Sequence, residues 1–173
     1  MKMRFVLVCG LILSVVTSKA QTAFEEISAD PNKSASVYYA YPEISEQYTL
    51  PPEGYTPFYI SHYGRHGSRY LISDSEYQTV MEILDKADAV GFLTDKGKSV
   101  RSRLEVVWRD AEGLGGQLTP LGYRQHRSIS ERMFYNFPDV FKGKRKISAC
   151  STVVIRCALS MATFCETLKG LNP

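Results

Sequence analysis

The sequence has no internal repeat and no low-complexity tract, which sets aside repeat arrays and compositionally biased chains. It has no C-x-x-C pair and no H-x-x-x-H within a helical pattern, so nothing in it reads as a zinc site. The apolar run Phe5 to Val16, broken by Gly10 and Ser14, is too short to span a bilayer comfortably. Basic surplus is absent beyond the first 20 residues. Those residues hold Lys2, Arg4 and Lys19 and no acid, which accounts for the whole formal charge of +3. The remainder is neutral and offers no footprint for a nucleic-acid backbone. What is present, 44% hydrophobic, 23% charged and 12% aromatic residues in 173, excludes a collagen, a disordered tail and a polytopic membrane protein. By length the chain is one domain at most.

The basic head, apolar run and small residues of Thr17-Ser18-Lys19-Ala20 predict a secretory signal peptide at residues 1–20. The protein is therefore expected to be exported, to a periplasm or beyond, with no membrane span in the mature chain. A lipoprotein reading would acylate Cys9, but Val8 is bulky where a small residue is wanted. Cys150, Cys157 and Cys165 are left, an odd number, which allows one bridge and a spare thiol or none. Their plainest reading is as small apolar side chains.

Residues 21–56, polar and tyrosine-rich, read as an extended N-terminal arm. Pro57 to His62 and Lys146 to Cys150 read as short strands. Between them lies a helical insertion, 73–138. Ser73 and Glu76 suggest a capping box for its first helix, and Thr94 opens its second. Thr119-Pro120 caps its third, which Pro138 stops. A last helix is expected after Ser151 and Thr152. The order implies an α/β fold with two parallel strands, an incomplete one because two strands do not make a self-sufficient sheet.

The informative stretch is Ser61 to Tyr70, S-H-Y-G-R-H-G-S-R-Y. Arg65 and Arg69 flank His66, which lies between glycine-containing turns directly after the first expected strand. Glycine lets a ligand approach the backbone closely. Guanidinium groups hold phosphate through forked, charge-assisted hydrogen bonds. Neighbouring cations disfavour protonation of an imidazole, and a neutral imidazole nitrogen is a nucleophile. These residue types together describe a phosphate cradle around a nucleophile. The plainer alternative is a charged surface loop.

The segment R-H-G-S-R resembles the active-site loop of the histidine acid phosphatases, the phytase-like branch of the histidine phosphatase superfamily. Gly116 to Gly122 (G-Q-L-T-P-L-G) is similar to the family's segment between its arginine sites. Ser148 to Met161 is similar to the segment that delivers a third phosphate-binding arginine, here Arg156. The combination most resembles bacterial exported multiple inositol polyphosphate phosphatases, and the resemblance runs from about Tyr59 to Pro173. It implies an incomplete histidine-phosphatase fold over residues 57–173. It also implies that His66 is the nucleophile that becomes a phosphohistidine. Arg65, Arg69 and Arg156 would then hold the phosphoryl oxygens. Arg156 has independent support, since the first turns of a helix favour an anion. The implied function is phosphomonoester hydrolysis, with inositol phosphates such as phytate as substrates and neither a cofactor nor a metal.

Two departures stand beside the resemblance. Leu71 occupies a position where the family usually has proline. Neither the His-Asp nor the His-Ala-Glu motif, which carries the family's proton donor, occurs in the chain. The expectation is an N-terminal part, truncated before its proton donor and weak or inactive alone. A non-catalytic relic or phosphate-binding fragment is the alternative; a phosphomutase fits poorly with export. His62 reads as structural. His126 is a further candidate substrate contact, with a solvated helix face as the plainer reading. Lys142, Lys144, Arg145 and Lys146 form a basic turn that solubility explains.

Overall fold

The computed structural model describes residues 22–44 and 48–173, so the expected leader at 1–20 lies outside the described residues. The chain divides into two compact units, Met1–Tyr39 and Ala40–Pro173.

In the first unit, helix α1 (Ala23–Ala29) starts on a complete capping box. The Thr22 hydroxyl accepts from the Glu25 amide, and the Glu25 carboxylate accepts from the Thr22 amide at 2.9 Å. Asp30 ends α1, and its carboxylate opens the 3₁₀ segment Pro31–Tyr38. This part of the arm is thus helical, where the sequence suggests extended backbone.

The second unit contains two helix pairs. Helices α2 (Ser75–Ala89) and α3 (Asp95–Ala111) form a hairpin that turns at Gly91, which adopts φ +74°. Tyr77 packs on Trp108 across the pair, ring centroids 5.9 Å apart. The second pair is α4 (Pro120–Asn136) and α5 (Ile155–Leu171), joined through the 3₁₀ turn Pro138–Phe141. Ser130 of α4 donates to the Phe164 carbonyl of α5 at 3.0 Å, and Asn172 donates to the Phe141 carbonyl. Thr94 and Thr119 cap α3 and α4 as the sequence suggests, each accepting from the amide three residues on. Two expected caps differ. Helix α2 begins after Asp74, and only the Glu76 half of the capping box forms, on the Ser73 amide. Helix α5 begins after Val154, not at Ser151-Thr152.

The expected α/β architecture, an incomplete histidine-phosphatase fold with two parallel strands, is overturned. Among the described residues the protein is all-α, without a sheet, and the strand-type pairing is one isolated antiparallel bridge, Arg69 to Leu118. Segments 57–62 and 146–150 run as irregular backbone in solvent, with Phe58 82% and Ile147 55% exposed. Aromatic and β-branched residues favour extended backbone, but a sheet requires a neighbouring strand to supply ladder partners and a face to bury.

Burial is scant and mixed in character. Tyr77, Ala111, Leu118, Phe141 and Leu168 form the buried apolar set, and Gln125, His126, Ser130, Ser160 and Thr163 are buried beside them. All five polar members lie on α4 and α5. That pair receives Gly67 and Ser68 of the Ser61–Tyr70 loop, while Tyr70 at its end donates to Asp110 of α3 at 3.2 Å.

Candidate functional site: a histidine among three arginines

The loop is seated by its glycine and by hydrogen bonds to its backbone. A Cβ on Gly67 would come within 2.7 Å of Gly122 Cα, and one on Gly122 would meet the backbone of Ser68. Only two glycines allow this approach of loop to helix. The Gly67 amide donates to Ser160 Oγ of α5 at 3.1 Å, and the Ser68 amide donates to Gln125 Oε1 of α4 at 2.8 Å. The Ser68 carbonyl accepts from both the amide and the hydroxyl of Thr119, at 2.9 and 3.0 Å. Thr119 therefore caps α4 and fastens the loop with one side chain. Beyond the loop, Tyr70 N donates to the Gln117 carbonyl and Gly116 N to the Leu71 carbonyl, which aligns the glycine-rich turn at 113–116 beside it.

His66 is half-buried on this seat. Its Nδ1 lies 2.8 Å from the Gly67 carbonyl oxygen. A carbonyl can only accept, so in the neutral ring Nδ1 carries the proton and Nε2 keeps the free lone pair. Burial pushes the His66 pKa below its ordinary value of 6.5; the Gly67 carbonyl opposes that shift, and Arg156, Arg65 and Arg69 add to it. Arg65 adjoins His66 and Arg69 lies three residues on in the loop, whereas Arg156 comes from the first turn of α5, ninety positions on. Its Nη1 lies near Gly116, 3.7 Å from where a Cβ would stand, and its Nε is buried without a partner. Arg69 donates to the Tyr70 carbonyl at 2.7 Å, which bends its guanidinium back along the loop. Val154, the residue that precedes α5, has no side chain able to accept from the first-turn amides.

His126 is only 4% exposed, so its reading as a solvated helix face does not hold. Burial lowers its pKa first and the charges of His62 and His66 add to that, while the Arg65 carbonyl opposes them as an acceptor. Tyr41 meets His126 edge-on at 5.8 Å and donates its hydroxyl to the Arg65 carbonyl. Burial raises the Tyr41 pKa, which keeps that donor protonated. His62 stacks on Phe164 of α5, 5.2 Å apart and nearly parallel. The basic turn at 142–146 is exposed.

The arrangement thus puts Arg65, Arg69 and Arg156 near enough for their charges to act on His66, and it buries His126 rather than leaving it at the surface. Its chemistry is a lone-pair nitrogen in a cationic field, suited to a phosphoryl group. Among the described residues, no group of three or more His, Cys, Asp or Glu side chains is arranged to hold a metal, and no helix is long and apolar enough to cross a membrane. Cys150 is exposed and Cys157 and Cys165 are half-buried, all three as free thiols.

The sequence did not point to the residues that seat the loop: Tyr41, Gln125, Ser160 and the Gly122 partner of Gly67. A signal exists in hindsight. Gly122, Gln125 and His126 share one face of α4, and Arg156, Ser160 and Thr163 share one face of α5, at the i, i+3, i+4 and i+7 spacings usually searched for apolar residues. No protein-family model matches this sequence, and no curated protein shows significant similarity to it.

Proposed function

We propose that the protein handles phosphate monoesters at His66, transferring the phosphoryl group to Nε2. The observation that carries this reading is the neutral imidazole, its Nδ1 tied to the Gly67 carbonyl, in the combined field of Arg65, Arg69 and Arg156. In the transfer, the Nε2 lone pair forms the N–P bond as the P–O bond to the alcohol breaks. The imidazole becomes positive at that moment, and the Gly67 carbonyl steadies the Nδ1 proton. The departing alkoxide takes its proton from solvent. Water then attacks the phosphohistidine, releasing orthophosphate and restoring the neutral ring. The arginines oppose the charge on the equatorial oxygens throughout; deletion of one such donor typically costs about 10²–10³ in rate.

The likeness of R-H-G-S-R to the histidine acid phosphatase loop supports inositol polyphosphates as substrates and an exported enzyme. A second reading, a phosphate-binding protein with little turnover, is favoured by one feature: every charged group that shifts His66 is positive. Without general acid assistance the alcohol leaves about 10²–10⁴ more slowly.

Rapid quench at alkaline pH with a labelled phosphate monoester separates the readings. Acid-labile, base-stable label on the protein that vanishes in His66→Ala is the expected result. Saturable orthophosphate binding with no label supports the second reading. Label that survives acid, as a phosphoserine would, or undiminished label in His66→Ala, contradicts the phosphohistidine.

A further inference from the structure

The two halves of the site come from distant parts of the chain, and one buried hydroxyl touches both. Ser160 is 3% exposed. Its Oγ accepts from the Gly67 amide, the residue after His66, at 3.1 Å, and donates to the Arg156 carbonyl, one turn back on α5, at 2.8 Å. The roles are forced, because an amide can only donate and a carbonyl can only accept. The hydroxyl rotor is therefore fixed, and its two hydrogen bonds polarise each other in a buried setting.

We propose that Ser160 is a positioning residue that sets the separation of His66 from Arg156 by bridging the loop backbone to the helix that carries the arginine. The inference rests on the phosphate-site reading of His66, and it concerns geometry rather than turnover. Neighbouring contacts fix the loop sideways: Gln125 and Thr119 hold Ser68, and Gly122 abuts Gly67. These all belong to α4 or its cap. Among the described residues, the hydrogen bond from Gly67 to Ser160 is the backbone tie from the R-H-G-S-R loop to α5. Removing the hydroxyl leaves the Gly67 amide buried without an acceptor, a state that drives local rearrangement rather than persisting. The loop then relaxes towards α4, and Arg156 acts on His66 from farther away.

The test uses the full chain and two readouts independent of catalysis, the NMR titration of the His66 ring and the affinity for inorganic phosphate. In Ser160→Ala the His66 midpoint should rise towards its ordinary value and phosphate should bind about tenfold more weakly, the scale usual for loss of a supporting hydrogen bond. In an Arg156→Ala background, Ser160→Ala should weaken phosphate binding no further, because that part of its effect passes through Arg156. Ser160→Thr keeps the fold question separate. Thr163 and Thr167 of the same helix already donate to carbonyls four residues back at 2.8 Å, so a threonine there reaches the same geometry. It should restore the wild-type titration. An unchanged His66 midpoint in folded Ser160→Ala, full additivity with Arg156→Ala in phosphate binding, or a folded Ser160→Thr that behaves like the alanine variant would each overturn the proposal. If wild-type chain binds no phosphate while the His66 midpoint still moves in Ser160→Ala, the positioning role stands and the phosphate reading fails.

Discussion

The α2–α3 hairpin and the α4–α5 pair are similar in length and are held by opposite means. The hairpin relies on its surface. Arg101 reaches Asp85 at 2.6 Å, Glu105 at 3.3 Å and Asp88 at 3.9 Å, all in solvent, and Tyr77 and Ala111 are its buried residues. The α4–α5 pair buries polar side chains, most with a partner: Ser130 to Phe164, Ser160 to Gly67 and Arg156, Gln125 to Ser68; His126 Nε2 is buried without one. Buried hydrogen bonds contribute little net stability but fix geometry, because an unmade one is costly. The hairpin spends its residues on solubility, and the α4–α5 pair spends its residues on placing a loop.

The sharpest way to break this contrast is steric. In Gly122→Ala the new Cβ meets the Ser68 backbone, which cannot swing aside. Such overpacking should cost about 1–3 kcal/mol and unseat the loop, so phosphate binding should be lost along with part of the thermal stability. Gly170→Ala, in the same helix pair where nothing lies within 4 Å, should raise Tm slightly through helix propensity alone. Equal effects from the two substitutions, measured by thermal unfolding and phosphate titration, would show that the close approach does not matter.

Acid should separate the pairs next. His66 and His126 both have pKa values lowered in the folded state, chiefly by burial. Below the ordinary histidine value the unfolded chain binds protons that the folded chain resists. Their contribution to stability is therefore complete above that value and is lost as pH falls through the folded midpoints. Tm should drop between neutral and mildly acid pH in wild type and drop less in His126→Gln. For the same reason, the acid limb of kcat/KM should lie below the ordinary histidine range. A flat Tm across that interval contradicts both shifts.

Smaller effects follow within each pair. Ser130→Ala forfeits one buried hydrogen bond to Phe164 and should cost about 0.5–1.5 kcal/mol in denaturant unfolding. Arg101→Ala should give the smallest change, a slight loss of stability at low salt that vanishes at high salt, with phosphate binding intact. A salt-independent loss there would mean that the hairpin's exposed ion pairs matter more than the buried bonds of α4 and α5.

Local signals in the sequence were legible where one side chain decides the outcome. Thr94 and Thr119 each supply an oxygen at the right spacing, and Pro138 ends α4, so those helix boundaries follow from nearby residues alone. The strands at 57–62 and 146–150 were misread because pairing depends on a distant partner that local alternation does not encode. Arg156 was singled out through the resemblance, and its charge helps to lower the His66 pKa, although its expected cap at Ser151-Thr152 is not the one used. What holds the loop was illegible for a different reason. Gln125, Ser160 and Gly122 are small or polar residues on helix faces, and hydrophobic periodicity passes over such residues even when they are buried.

The ring of His66 itself gives the most direct measurement. Nitrogen-resolved NMR of the full chain, labelled at histidine and assigned with His66→Gln, reports both tautomer and midpoint. The expected spectrum has the proton on Nδ1, a lone pair on Nε2 and a midpoint below the ordinary histidine value, and inorganic phosphate should raise that midpoint as its charge offsets the arginines. A ring protonated on Nε2, or a midpoint at or above the ordinary value that phosphate leaves unmoved, would contradict the neutral nucleophile in a cationic cradle.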